Sequence, residues 1–224
     1  MPEIPQLLVG LGNPGKDYAG TRHNVGFEIL ERVATAMGLE FRPERKWKAE
    51  ICRAPDGLLF LKPQTYMNLS GRAVAAVAHF YKIVPERILV VYDDVALPLG
   101  QHRFRMNGGS GGHNGIESLL SDLGSRSFPR LKVGIGGAPG SRLSGHVLGR
   151  FRPEEKEVAE KALATAVDAV QFALAAGISK AANRFNTRPK AKKIKPEQES
   201  KPKKTDDGQE IRRPDCSEHE REGR

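Results

Sequence analysis

Asp93 and Asp94 directly follow Ile88-Leu89-Val90-Val91-Tyr92, an apolar run that reads as a buried strand. Two carboxylates at such an exit cost free energy unless they are solvated, paired or bound. A divalent cation is one partner, because hard cations take oxygen ligands. A histidine is the other. A carboxylate that accepts from one ring nitrogen fixes the tautomer and turns the second nitrogen into a base. His23 and His113 are the candidates; His79 falls inside a buried-looking helix and His219 in a charged C-terminal stretch.

Three further polar groups sit at turns after apolar runs, where α/β sheets place functional side chains. Asn13 lies in Gly12-Asn13-Pro14-Gly15, which taken alone is ordinary turn chemistry. Asn24 precedes a helix and can be a plain N-cap; Asn68, after Met67, can cap a helix starting at Leu69. The run Asn107–Gly112 is glycine-rich but lacks the Gly-Lys-Ser/Thr ending of a P-loop and the GxGxxG spacing of a dinucleotide site. Its backbone freedom suits a lid better than a phosphate cradle. Gly-x-Ser-x-Gly is absent, so no serine nucleophile stands out.

These groups need a scaffold, and the hydrophobic pattern supplies one. Gln6–Leu11 reads as a strand buried on both faces, and Phe27, Leu30, Val33, Ala34 and Met37 repeat at helical spacing before Gly38. Lys48–Arg53 and Leu58–Leu61 form a hairpin around Ala54-Pro55-Asp56-Gly57. Leu69–Ile83 is a helix with apolar residues all round, Gln101–Met106 an exposed basic strand, Ile116–Leu123 a short helix, Leu131–Ile135 a strand and Glu154–Ala176 a long amphipathic helix. The expected class is α/β: one domain with a mixed, twisted β-sheet flanked by helices. The domain spans residues 1–189. Residues 190–224 hold no aromatic residue and few aliphatics among dense charge, and are expected to form a disordered tail.

Of 224 residues, the first 190 carry 26 Lys/Arg against 18 Asp/Glu, whereas residues 191–224 carry ten against nine. The positive excess therefore belongs to the folded part and favours a polyanionic partner. Cys52 and Cys216 have no metal or disulfide spacing, and there is neither a signal-like start nor a membrane-length apolar stretch. A cytoplasmic protein without a membrane partner is expected.

In order along residues 6–187, this sequence resembles the bacterial peptidyl-tRNA hydrolase family. The segments that carry the resemblance are Val9-Gly-Leu-Gly-Asn-Pro-Gly15, Tyr18 with Thr21-Arg-His-Asn24, Thr65-Tyr-Met-Asn-Leu-Ser-Gly71, Asp93 with Leu97-Pro98, Gly109-Ser-Gly-Gly-His-Asn-Gly115 and Arg130-Leu-Lys-Val-Gly-Ile-Gly136. Each motif alone is weak, and the ordered set is specific. Tyr92 and Asp94 fall at positions expected to vary, and the 190–224 tail is longer than is expected beyond the family core.

The resemblance implies hydrolysis of the ester between a peptide and the tRNA 3′ end, releasing free tRNA. It implies His23 as the general base; a free imidazole, with a pKa of about 6.5, can take a proton from water. Asp93 would orient the ring, and Asn13 would complete the catalytic group. Tyr18, Met67, Asn68, His113 and Asn114 would contact the substrate, and Arg105 and Lys132 would hold the acceptor stem. No cofactor, metal or obligate protein partner is implied, and the expected state is a monomer. Two other readings fit the residues: an RNA-binding relative that has lost catalysis, and a magnesium-dependent phosphotransferase built on Asp93-Asp94. Turnover of peptidyl-tRNA separates the first, and activity in excess chelator the second.

Overall fold

A computed structural model of the chain describes residues 4–137 and 143–186. The expected tail, 190–224, lies outside the described residues. Seven strands form one mixed sheet in the order β2-β3-β4-β1-β5-β7-β6. The central strands β1 (Leu7–Gly10), β4 (Leu59–Pro63), β5 (Ile88–Asp94) and β7 (Arg130–Gly134) run parallel. Antiparallel strands flank them: β3 (Ala49–Arg53) and β2 (Arg42–Glu44) on one side, β6 (His102–Arg105) on the other.

Alternation along the strands divides the core in two. Leu8, Leu89 and Val91 face α1 (Val25–Ala36), α5 (Lys156–Ala176) and α6 (Ile178–Phe185). Leu7, Val9, Ile88 and Val90 face α2 (Ser70–Phe80) and α3 (Asn114–Leu123). Side chains two apart along a strand share a face, so apolar residues at every position need helices on both sides. The expected α/β architecture and hairpin are present. Cys52 lies in this interior, and burial pushes its thiol up to about 11. No helix among the described residues is long and apolar enough to cross a membrane.

Several expectations change. The strand at Gln101–Met106 is only half exposed: His102 and Phe104 are buried, and His102 Nε2 lies 2.8 Å from the carbonyl of Ala162 in α5. Helix α2 is amphipathic rather than apolar all round, and His79 is exposed near its end. Met37 is exposed because α1 stops one residue earlier, with Gly38 at φ 67°. Strand β2, written Arg-Pro-Glu, and the short helices α4 (Leu143–Leu148) and α6 have no counterpart in the pattern reading.

Parallel strands present their carboxyl ends at one edge. Asn13 follows β1, Met67 and Asn68 follow β4, and Asp93 ends β5. Strand β1 lies between β4 and β5, the point where connections diverge and α/β sheets open a crevice. Gly26 brings α1 down onto that crevice. A Cβ there would stand 2.4 Å from the carbonyl oxygen of Val91 and 2.5 Å from backbone atoms of Leu11. Only glycine permits this approach, which carries the preceding residues His23 and Asn24 to the ends of β1 and β5.

Candidate active site

His23 belongs to a 3₁₀ turn, Arg22–Asn24, and is buried along with its neighbours. Arg22 fastens the turn. Its guanidinium donates to the carbonyls of Arg150 (2.7 Å) and His146 (3.3 Å), pairs with Glu155 (2.6 Å), and lies 5.0 Å from the centre of the Phe151 ring. Hydrogen bonds from Arg152, with the charge of Arg22, outweigh the effect of desolvation and hold Glu155 down at about 2. Asn24 does more than sit ahead of α1, since its side chain makes no capping bond. Its Oδ1 accepts from the Asn13 backbone N–H and its Nδ2 donates to the Asn13 carbonyl, both at 2.9 Å. A carboxamide supplies both a donor and an acceptor, so one side chain satisfies both buried backbone groups.

Asn13 in turn accepts from the Met67 N–H through Oδ1 (2.8 Å), while its Nδ2 has no partner among the described residues. Met67 is buried and packs on Gly115, where a Cβ would lie 2.5 Å from its sulfur. These contacts tie the turn after β1 to the turn after β4 and to the start of α3.

Asp93 is 1% exposed and accepts from two histidines through the same oxygen: His23 Nδ1 at 2.8 Å and His113 Nε2 at 3.1 Å. Burial alone would raise the carboxyl. Hydrogen bonds and charge from His113 and His23 outweigh it and hold the group well below the usual carboxylate range. The histidines differ in what remains. His113 is the N-cap of α3, its Nδ1 accepting from the N–H groups of Gly115 (3.1 Å) and Ile116 (3.3 Å). Both of its ring nitrogens are engaged, so it has none to offer a substrate. His23 Nε2 has no hydrogen-bond partner among the described residues. The two histidines left open by the sequence both reach Asp93, and these bonds distinguish their surroundings.

A cleft of about 320 Å³ opens beside this pair, lined by His23, Asp93, His113, Asn114, Lys132 and others. Ser110, Gly111 and Gly112 wall it, and the glycine loop is pinned where buried Arg130 donates to the Gly109 carbonyl at 2.9 Å. Leu143, Ser144 and Val147 of α4 close another side. Exposed Asn114 also lines a second cleft together with Asn68. Asn68 caps nothing: α2 begins at Ser70, with Leu69 at the cap position.

The remaining expected residues lie apart. Tyr18 does not line the His23 cleft; its carbonyl accepts from Thr21 Oγ1 at 2.8 Å and steadies the approach to the Arg22 turn. Arg105 is exposed on edge strand β6. Lys132 is no free strand-face cation, because its ammonium pairs with Asp94. Successive strand residues point to opposite faces. Asp93 and Asp94 therefore meet different partners, the two histidines for one and the Lys132 ammonium for the other, although both line the His23 cleft. The atoms of His23, Asp93 and His113 lie within 4.8 Å of one another, close enough to gather on a metal ion. Their 2.8 and 3.1 Å separations are those of direct hydrogen bonds.

A three-layer α/β fold that holds a carboxylate-bound histidine beside Asn114, with Asn13 and Asn68 lining further openings, has the groups that a hydrolase needs. The family model for peptidyl-tRNA hydrolase matches residues 7–195. The chain is 45% identical to a peptidyl-tRNA hydrolase of Akkermansia muciniphila, over 82% of this chain and 97% of that protein. It is 48% identical to one from Chloroflexus aggregans, over 80% and 98%. The crystal structure of peptidyl-tRNA hydrolase from Acinetobacter baumannii superposes with a TM-score of 0.78 at 37% identity, covering 83% of this chain and 96% of that one. The chain belongs to the peptidyl-tRNA hydrolase family, and so to the enzymes that hydrolyse the ester bond of peptidyl-tRNA and release the tRNA.

Proposed function

We propose that His23 is the general base of this hydrolysis and that the nucleophile is water. The observation that carries the reading is the asymmetry at Asp93: His23 donates through Nδ1 and its Nε2 has no partner among the described residues, whereas His113 has both nitrogens occupied. Water gives a proton to His23 Nε2 and its oxygen bonds to the ester carbonyl carbon. When the tetrahedral species collapses, the ribose oxygen leaves and recovers that proton from the imidazolium. The products are the peptide acid and tRNA with a free 3′-terminal hydroxyl. Asp93 holds the tautomer and stabilises the imidazolium, and His113 positions Asp93.

The unclaimed Nδ2 of Asn13 and the exposed amides of Asn68 and Asn114 serve as neutral donors to the oxyanion and to the adjacent peptide group. An aminoacyl-tRNA lacks that peptide group and brings an ammonium instead. The lost contact and the unpaired charge disfavour it. No step calls on a metal or cofactor. Every group named comes from one chain, so a monomer suffices. Arg105 would meet phosphates of the acceptor stem, a reading that its exposure supports.

The test is turnover of N-blocked peptidyl-tRNA in excess chelator. Wild-type activity should persist, and His23→Ala should lose ~10²–10⁴ in kcat while tRNA binding survives. Near-normal turnover by His23→Ala would overturn the base assignment, and loss of wild-type activity with chelator would overturn metal independence.

A further inference from the structure

A second opening, of about 480 Å³, is lined by Asn13, Gln64, Glu28, Glu31, Glu50 and Lys62 among others. Its charge runs against that of the domain. Three carboxylates face one ammonium, in a folded part whose positive excess suits a polyanion. The ammonium is already spent, because Lys62 has a side chain only 7% exposed and is paired with both Glu31 and Glu50. Glu28 is bound to Arg32 as well, but Glu31 is half exposed and keeps a solvent-facing side. Asn13 lines this opening, is itself only 7% exposed, and has an amide Nδ2 with no partner among the described residues. Phosphates are repelled from such a lining.

A peptidyl-tRNA has two arms meeting at the ester, one anionic and one peptide. We propose that this opening is a subsite for the peptide arm upstream of the ester, and that it favours a cationic group there. The inference rests on the placement of the ester beside His23 and Asn13. Asn13 would hold a peptide carbonyl through Nδ2, and the upstream chain would pass over Glu31 and Glu50. A lysine or arginine side chain, or a free amino terminus a residue or two from the ester, presents the matching charge. The nucleotide arm would then take the cleft of His23, Lys132 and the glycine loop, and opposite charge would sort the two arms.

The experiment compares kcat/KM for N-acetylated peptidyl-tRNAs that differ only in having lysine, alanine or glutamate at the second or third residue from the ester. A parallel pair of dipeptidyl-tRNAs, with the amino terminus free or acetylated, separates side-chain from terminal ammonium. Wild type should favour lysine over glutamate by ~2–5-fold at low salt, the size expected for partly exposed charges. The preference should shrink as salt rises. Glu31→Gln should bring the ratio close to one, and Glu31→Asp should retain part of it. Because a ratio is read, any general loss of activity cancels, and Lys62 keeps Glu50 at 2.7 Å. Backbone amide shifts on titration with an N-acetylated lysine-containing tripeptide should appear at Gly15, Gly20 and Gln64. A ratio near one in wild type, a ratio unmoved by Glu31→Gln, or shifts confined to Arg72 and Glu117 beside Asn68 would each overturn the proposal. None of these outcomes depends on whether His23 is the base, which the chelator and His23→Ala assays decide separately.

Discussion

Two turns deliver a histidine to Asp93, and they are built differently. The turn before α1 is held from outside the ring: Arg22 is clamped by the 146–155 segment, and Asn24 is locked onto the backbone of Asn13. Among the described residues the His23 ring hydrogen-bonds to Asp93 alone. The turn before α3 is held by the ring, since His113 caps the helix with one nitrogen and reaches Asp93 with the other. A base must have an unoccupied nitrogen. With His23 as the proposed base, reactivity at this site follows from which turn has neighbours to do its structural work.

The largest expected effects test that contrast. Where His23→Ala should remove ~10²–10⁴ in rate with little change in stability, His113→Ala should cost about 0.5–2 kcal/mol through the lost cap. Its effect on rate should be smaller. His113→Asn restores a capping group but cannot reach Asp93, so it should recover stability without full activity. Thermal melts alongside kcat for the three variants decide the matter. If His113→Asn is as inactive as His23→Ala, the two rings share the chemistry and the contrast fails.

Asp93→Asn comes next. An amide can hold the ring but not stabilise imidazolium, so kcat should fall while the fold persists. The pH dependence has a definite sign. Asp93 is held below its ordinary value in the fold, so its contribution to stability is present above about pH 4, near the unfolded value, and is lost as pH falls below that. Wild-type stability should therefore drop more steeply than that of Asp93→Asn in acid. Parallel slopes below pH 4 would mean that the histidines do not favour the charged form.

A smaller change probes the other turn. Asn24→Asp keeps the shape and the acceptor but loses the donor to the Asn13 carbonyl. Leaving that buried carbonyl unpaired should cost about 1–3 kcal/mol and loosen His23, lowering kcat more than it raises KM. An Asn24→Asp enzyme with wild-type melting temperature and kcat would show that the Asn13–Asn24 lock does not position the base.

That lock marks where the sequence stops being legible. The buried strands, the hairpin and Asp93 as a carboxylate needing a partner were readable, because each rests on a local pattern. Asn13 and Asn24 each had an adequate local explanation, as turn and cap, and only the folded chain brings them into mutual contact. His113 is an unusual N-cap, so its local signal, Asn114-Gly115 before an apolar helix, did not suggest that the ring was occupied. Strand β2 was hidden by its proline, which an exposed edge tolerates. The pairing of Lys132 with Asp94 depends on β5 lying beside β7, thirty-eight residues apart at these positions. No pattern within either strand announces it.

The smallest expected effect lies with the two cations assigned to the acceptor stem, and the structure makes them unequal. Arg105 is exposed with no ion-pair partner among the described residues, whereas Lys132 is neutralised by Asp94 at the edge of the His23 cleft. A free cation that meets a phosphate releases about one counterion on binding. Arg105→Ala should therefore raise KM for full-length peptidyl-tRNA, leave kcat nearly unchanged and lower the salt slope by about one or less. For Lys132→Ala the slope should change less, since removing the ammonium also strands the Asp94 carboxylate and the local charge moves from neutral to negative. Asp94→Asn frees the ammonium and should strengthen tRNA binding and steepen the slope. A minimal substrate bearing only the terminal nucleotide should be indifferent to Arg105, which lies outside the cleft. Equal slope changes from Arg105→Ala and Lys132→Ala, with no effect of Asp94→Asn, would mean that the ion pair opens fully onto the tRNA and that the two cations act alike.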